Sequence, residues 1–157
     1  MPALNVKEYL AASLRIQHKR FVNDLKAIPE DQHNVSSAGC ARTPRYMAAE
    51  CGYVNGWIAD FLQTGKSVRL SQEDEDALYA SLDTTEKALA YLEENTDKLA
   101  AVYESLDENT LGDISDTLFR RPTSKFSAAM LPILHLSYHD GQYNYIQALH
   151  GDDKIHW

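Results

Sequence analysis

Residues 124–151 read SKFSAAMLPILHLSYHDGQYNYIQALHG. The stretch predicts a helix from about Ser124 to Leu149, stopped by Gly151. Within it, His135 and His139 are four residues apart, which places both imidazoles on one side of a helix, a turn from each other. Leu131, Gln142, Ile146 and Leu149 share that face, so the pair is expected to point into a core. Asp140, Asn144 and Gln147 fall on the opposite face. Ile133, Leu136 and Tyr143 form a further apolar side, which predicts a buried contact with another helix or with a second copy of the chain.

Three other segments carry helical periodicity, and none reads clearly as a strand. Val6, Leu10, Leu14, Phe21, Leu25 and Ile28 make one stripe, with Asn5 as N-cap, Glu8 three residues on, and Pro29 as the stop. After a polar loop over 31–41, Thr43-Pro44 opens a second helix bearing Met47, Val54, Trp57 and Phe61, with Gly65 as its stop. Ser71 and Asp74 start a third segment with Leu78, Leu82, Leu89, Leu92, Leu99, Tyr103 and Leu106. It reads as one long helix or as two pieces broken near Asn95-Thr96. The strip 107–123, with Gly112 and Pro122, reads as loop and is long enough to cross a bundle. The expectation is an all-α chain, a four-helix bundle formed by one domain over residues 1–157.

Composition narrows the function classes. The formal net charge is −8, which repels phosphate backbones and anionic lipid, and the only basic runs are the pairs Lys19-Arg20 and Arg120-Arg121. No nucleic acid and no membrane partner is expected. The start Met-Pro-Ala-Leu-Asn-Val-Lys-Glu does not read as a signal peptide, and no apolar run reaches the ~18 residues of a membrane span. Two cysteines, Cys40 and Cys51, are too few to staple a fold, so a cytoplasmic location is expected.

Glu50 breaks the apolar stripe of the second helix, at intervals of three and four from Met47, Val54 and Trp57. A buried, unpaired carboxylate costs several kcal/mol, so it needs a partner. That partner is a cation brought by another helix, or an Arg or Lys, or solvent at the rim. Neutral imidazole is the metal-binding form, so His135, His139 and Glu50 together would make a two-histidine, one-carboxylate ligand set with open positions. The competing reading is a pair of core histidines satisfied by protein hydrogen bonds. Gln142, one turn beyond His139, and Tyr138, beside the histidines, are read as contacts to a bound cofactor or substrate, or else as packing residues. Cys51 is expected to be a small buried apolar residue, Cys40 to lie in the loop, and His18 to face solvent. His33, His150 and His156 are not read as ligands.

The run His135-x-x-x-His139-Asp140-Gly141-Gln142 resembles the last-helix motif of the DinB/YfiT-like metalloprotein family, usually His, three residues, then His-Arg-Gly-Gln. Tyr145-Ile-Gln and the Gly151-Asp152 … His156-Trp157 ending are similar to members of that group. The family's second helix has Ser or Thr followed seven residues later by a third ligand, usually His, and seven from Thr43 is Glu50. Two departures stand out: Glu50 in place of His, and Asp140 in place of Arg. The resemblance implies a DinB-like four-helix bundle with a divalent metal ion. Zinc or nickel comes first, with iron and manganese compatible with the same donors. It implies a homodimer acting on a small molecule, and a metal-dependent transferase using a low-molecular-weight thiol. The alternative is a non-catalytic metal- or small-molecule-binding bundle.

Overall fold

The computed structural model describes residues 5–118 and 121–157. The Met1–Leu4 start, and Arg120 of the Arg120-Arg121 pair, lie outside the described residues. The chain is all-helical but for one short hairpin: α1 (Val6–Ala27), α2 (Pro44–Thr64), α3 (Gln72–Ser81), α4 (Thr85–Ser105), β1 (Ile114–Leu118), β2 (Arg121–Ser124) and α5 (Lys125–Leu149). Among the described residues, no helix is long and apolar enough to cross a membrane.

Each helix starts where its capping side chain stands. Asn5, Thr43, Ser71, Thr84 and Ser124 each accept a hydrogen bond from the backbone N–H three residues on, satisfying a donor that the first turn leaves open. Such a cap contributes about 1 kcal/mol. Gly65 closes α2 and Gly151 follows α5, both at positive φ (70° and 84°), where a side chain would be strained.

Two expectations need correction. The third segment breaks at Leu82–Thr84, not near Asn95-Thr96. Thr84 provides a fresh N-cap there, whereas Asn95 and Thr96 spend their side chains inside α4. Asn95 Nδ2 donates to Tyr91 O at 2.9 Å, and Thr96 Oγ1 donates to Leu92 O at 2.7 Å. The strip 107–123 is also not plain loop: β1 and β2 pair antiparallel, with Leu118 opposite Arg121. Among the described residues only two short strands pair, so the all-helical reading stands.

The four long helices pack in a ring of neighbours: α2 on α4, α4 on α1, α1 on α5, and α5 on α2. Between them Leu10, Leu14, Phe21, Leu25, Ile58, Phe61, Leu92, Leu99, Tyr103, Leu136 and Tyr143 are almost fully buried. Each such side chain contributes roughly 1.5–3 kcal/mol by leaving water. The α2–α4 seam is the closest. A Cβ added at Gly52 would sit 2.7 Å from Tyr91 Cδ1 and 3.1 Å from the backbone of Leu92, and one at Gly56 would meet the Asn95 amide. α5 is tied to the start of α2 by the Tyr143 hydroxyl, which donates to Pro44 O at 2.6 Å.

The face of α5 opposite the histidines is not a water face. Asp140 and Gln147 are buried against α1, where Gln17 Nε2 donates to Asp140 Oδ2 at 3.0 Å and Gln147 Nε2 donates to Asp24 O at 2.6 Å. Leu136 and Tyr143, read as part of a further apolar side, are consumed by the chain's own core.

Candidate metal centre

α2 and α5 carry the residues that the sequence singles out, and His139 touches two of them, His135 and Glu50. His135 Nε2 and His139 Nε2 lie 3.1 Å apart. Glu50 Oε2 lies 3.3 Å from the same His139 nitrogen. On its other side, Glu50 Oε2 takes an ion pair from Arg42 Nη1 at 2.8 Å. Of the partners weighed for Glu50, two are therefore present at once: an imidazole of α5 and an arginine from the loop before α2.

Burial differs across the group. His139 is 1% exposed, while His135 is only partly buried and Glu50 keeps 17% of its side chain open. The centre thus lies at the edge of the core, with His135 partly exposed and the Glu50 Oε2 atom itself buried. Burial, and then the neighbouring His139, depress His135 to a pKa of about 4, so it is neutral at pH 7. Burial alone would raise Glu50. The hydrogen bond to His139 and the charge of Arg42 outweigh it and hold the carboxyl below its ordinary range.

His139 Nδ1 lies 2.6 Å from Gln142 Oε1, an acceptor, so the proton on this ring is assigned to Nδ1. Its Nε2 meets a carboxylate oxygen and a second imidazole nitrogen. A proton on His135 Nε2 satisfies the His139 nitrogen within the protein, and a metal ion would satisfy it as well. The donor chemistry fits a divalent cation, with two imidazoles, one ionised carboxylate and a hydrogen-bonded amide behind one ring.

One neighbour differs from its reading in the sequence. Cys51 is fully buried as expected, but its sulfur lies 3.7 Å from His135 Nδ1. Ligand atoms of Cys51, His135 and His139 lie within 4.8 Å of one another. Burial, then the charge of Glu50, push the Cys51 thiol well above its usual pKa, so it is a protonated thiol unless a metal displaces the proton. The signal present in the sequence is adjacency to Glu50. A helix turned toward α5 presents positions 50 and 51 to either side of one line of contact.

The remaining residues are placed as follows. Gln142 binds His139 and lines a cleft between α5 and the loop before α2. Tyr138 is 62% exposed, with its ring 5.0 Å from that of His139. His18 does not face solvent: it is half-buried, its Nε2 has no partner among the described residues, and burial lowers its pKa. His33, in a loop expected to be polar, is 7% exposed and bonds Thr85 Oγ1 and Ile28 O, both at 3.0 Å. Together with the Arg45 N–H, which donates to His33 O at 2.9 Å, it pins the loop that delivers Arg42.

No protein-family model and no curated protein matches this sequence. Solved structures do share its fold. A conserved protein from Enterococcus faecalis superposes with a TM-score of 0.73 at 16% identity, over 94% of this chain and 98% of that one. A protein from Streptococcus pneumoniae gives 0.61 at 18% identity, over 96% and 92%. Likeness at these identities shows the fold alone.

Proposed function

We propose that the protein is a DinB/YfiT-like four-helix bundle that binds one divalent metal ion through His135, His139 and Glu50. The observation that carries the reading is that His139 Nε2 lies 3.1 Å from His135 Nε2 and 3.3 Å from Glu50 Oε2, two further ligand atoms on one ring nitrogen. Zinc or nickel suits this mixed imidazole and carboxylate set, and iron and manganese are compatible with it. Gln142 orients His139 by accepting from Nδ1–H, and Arg42 holds the Glu50 carboxylate at the solvent edge.

The activity proposed is metal-dependent transfer to or from a small thiol. A bound ion with open positions would supply a lowered pKa to a thiol or water and polarisation to a carbonyl. The residues of the chain would keep His135 neutral, hold Glu50 ionised and leave the His135 side open to a small molecule. A cytoplasmic setting agrees with two unpaired cysteines, one exposed and one buried. The proposal includes a homodimer, for which the exposed Leu134 and Tyr138 on α5 offer an apolar contact outside the core.

The second reading is a non-catalytic metal- or small-molecule-binding bundle. The Arg42–Glu50 ion pair favours it, because the carboxylate already has a counter-charge without an ion. Metal analysis and chelator titration of the purified protein test the metal. Stoichiometric metal and a lower Tm on chelation are expected, and substoichiometric metal with an unchanged Tm sinks the proposal. A screen of thiols with electrophiles, run on wild type and His139→Ala, separates the two readings. Equal turnover in both proteins eliminates metal-dependent transfer.

A further inference from the structure

A cleft of about 670 Å³ opens one helical turn from the histidines, between the C-terminal half of α5 and the loop that precedes α2. That volume falls in the range of small-molecule sites, about 300–1,000 Å³. Its walls are mainly apolar: Met47 from α2, and Tyr145, Ile146 and Leu149 from α5. Tyr145 and Leu149 are 67% and 54% exposed, a large apolar surface left in water beside a concavity. Among the described lining residues, Arg42 alone carries a charge.

The polar groups gather on one side. Arg42 offers five N–H donors in a planar fork, and its bond to Glu50 leaves most of them available. Gln142 spends its carbonyl oxygen on His139, which leaves its amide NH₂ to donate into the cleft that it lines. Donors at one corner and an apolar trough beyond them match a ligand with an anionic head and an apolar body. The head is a monoanion. Glu50 stands 2.8 Å from the guanidinium and would repel a dianionic phosphate, while a carboxylate matches the planar fork.

We infer that this cleft binds an apolar monocarboxylic acid, its carboxylate on Arg42 and Gln142 and its chain along Met47, Tyr145, Ile146 and Leu149. The inference goes beyond the metal reading, since the cleft is formed by protein side chains and binding needs no ion. It does place the acid head beside the proposed metal ligands, because Arg42 and Gln142 touch Glu50 and His139.

The test uses decanoate and decanol as probes, titrated calorimetrically into chelator-treated and zinc-treated protein. Decanoate is expected to bind at least tenfold more tightly than decanol in both preparations. Arg42→Gln should lose at least tenfold for decanoate and stay within about threefold for decanol. Leu149→Glu, at an exposed position that does not risk the fold, should weaken decanoate by a similar factor through like-charge repulsion. Equal binding of acid and alcohol, no decanoate binding at millimolar concentration, or indifference to both substitutions overturns the inference. Decanoate binding without zinc uptake sinks the metal reading alone, and zinc uptake without decanoate binding sinks this inference alone.

Discussion

Arg42 Nη1 and Glu50 Oε2 lie 2.8 Å apart, and the same carboxylate oxygen is 3.3 Å from His139 Nε2. One oxygen is therefore shared between a permanent cation and an imidazole nitrogen. If a metal ion takes the imidazole lone pair, it competes with Arg42 for Glu50. The third ligand is then the position where substitution is most informative.

For that position the expected outcomes are distinct. Glu50→Gln should weaken zinc binding by an order of magnitude or more, since a formal charge is lost. Cys51→Ala should change it by less than about threefold. Glu50→His, which supplies a third imidazole, should retain or tighten binding. Competition titration with a chromogenic chelator reads all three. A larger loss from Cys51→Ala than from Glu50→Gln would move the third ligand to the thiol.

The acid pair between α1 and α5 gives a pH prediction. Burial, then the hydrogen bond and charge of Asp24, push Asp140 up to about 7. Asp140 Oδ1 is buried with no hydrogen-bond partner among the described residues, so a charge on it would lie unsolvated. A folded pKa raised above the unfolded value of 3.8 stabilises fully below that value, and the contribution is lost as pH rises through about 7. Asp140→Asn keeps an acceptor for Gln17 and supplies a donor toward Asp24. It should match wild type near pH 3.5 and exceed it at pH 8 by about 1–3 kcal/mol. Denaturant unfolding at the two pH values checks this, and a difference between the proteins that does not change with pH would rule out a raised Asp140.

The α2–α4 seam predicts a core penalty. Gly52→Ala places a methyl 2.7 Å from Tyr91 and 3.1 Å from the Leu92 backbone, and only the tyrosine can turn away. A loss of about 1–3 kcal/mol is expected. Gly141→Ala, where nothing lies within 4 Å of an added Cβ, serves as the permissive control and should gain helix propensity. A Gly52→Ala protein as stable as wild type would show that the helices are less closely set.

Self-association has a direct readout. Leu134 and Tyr138 are 58% and 62% exposed, one turn apart on α5. Light scattering coupled to size exclusion should give a dimer for wild type and a monomer for the Leu134→Glu, Tyr138→Glu double variant. A monomeric wild type ends the homodimer proposal.

Much of the helical layout is legible in the sequence because caps and stops are local chemistry. Asn5, Thr43, Ser71 and Gly65 act where the sequence places them. The break at Leu82–Thr84 is hidden because a capping Thr inside a continuous apolar heptad looks like one more polar residue until its φ and ψ are known. The β-hairpin is hidden because its strands are five and four residues long, too short for alternation to stand out. At the site, periodicity selects Glu50, His135 and His139, but it carries no information on which way a loop residue reaches. Arg42 arrives from outside any helix, held through contacts of His33 and Arg45 between residues remote in sequence. The depth of Asp140 is concealed for a related reason: its partner Asp24 lies on another helix, and an isolated acid on a polar stripe reads as solvated.

Gly52 and Gly56 leave α2 no slack against α4, so the wall bearing Glu50 and Cys51 is stiff. The imidazoles ride on the facing helix, which rests on α2 through the Tyr143 hydroxyl and ordinary side-chain contacts. A cation of larger ionic radius would therefore be accommodated by outward displacement of His135 and His139, not by retreat of the acid. Discrimination between ions of different size becomes a property of how firmly α1 presses on the back of α5.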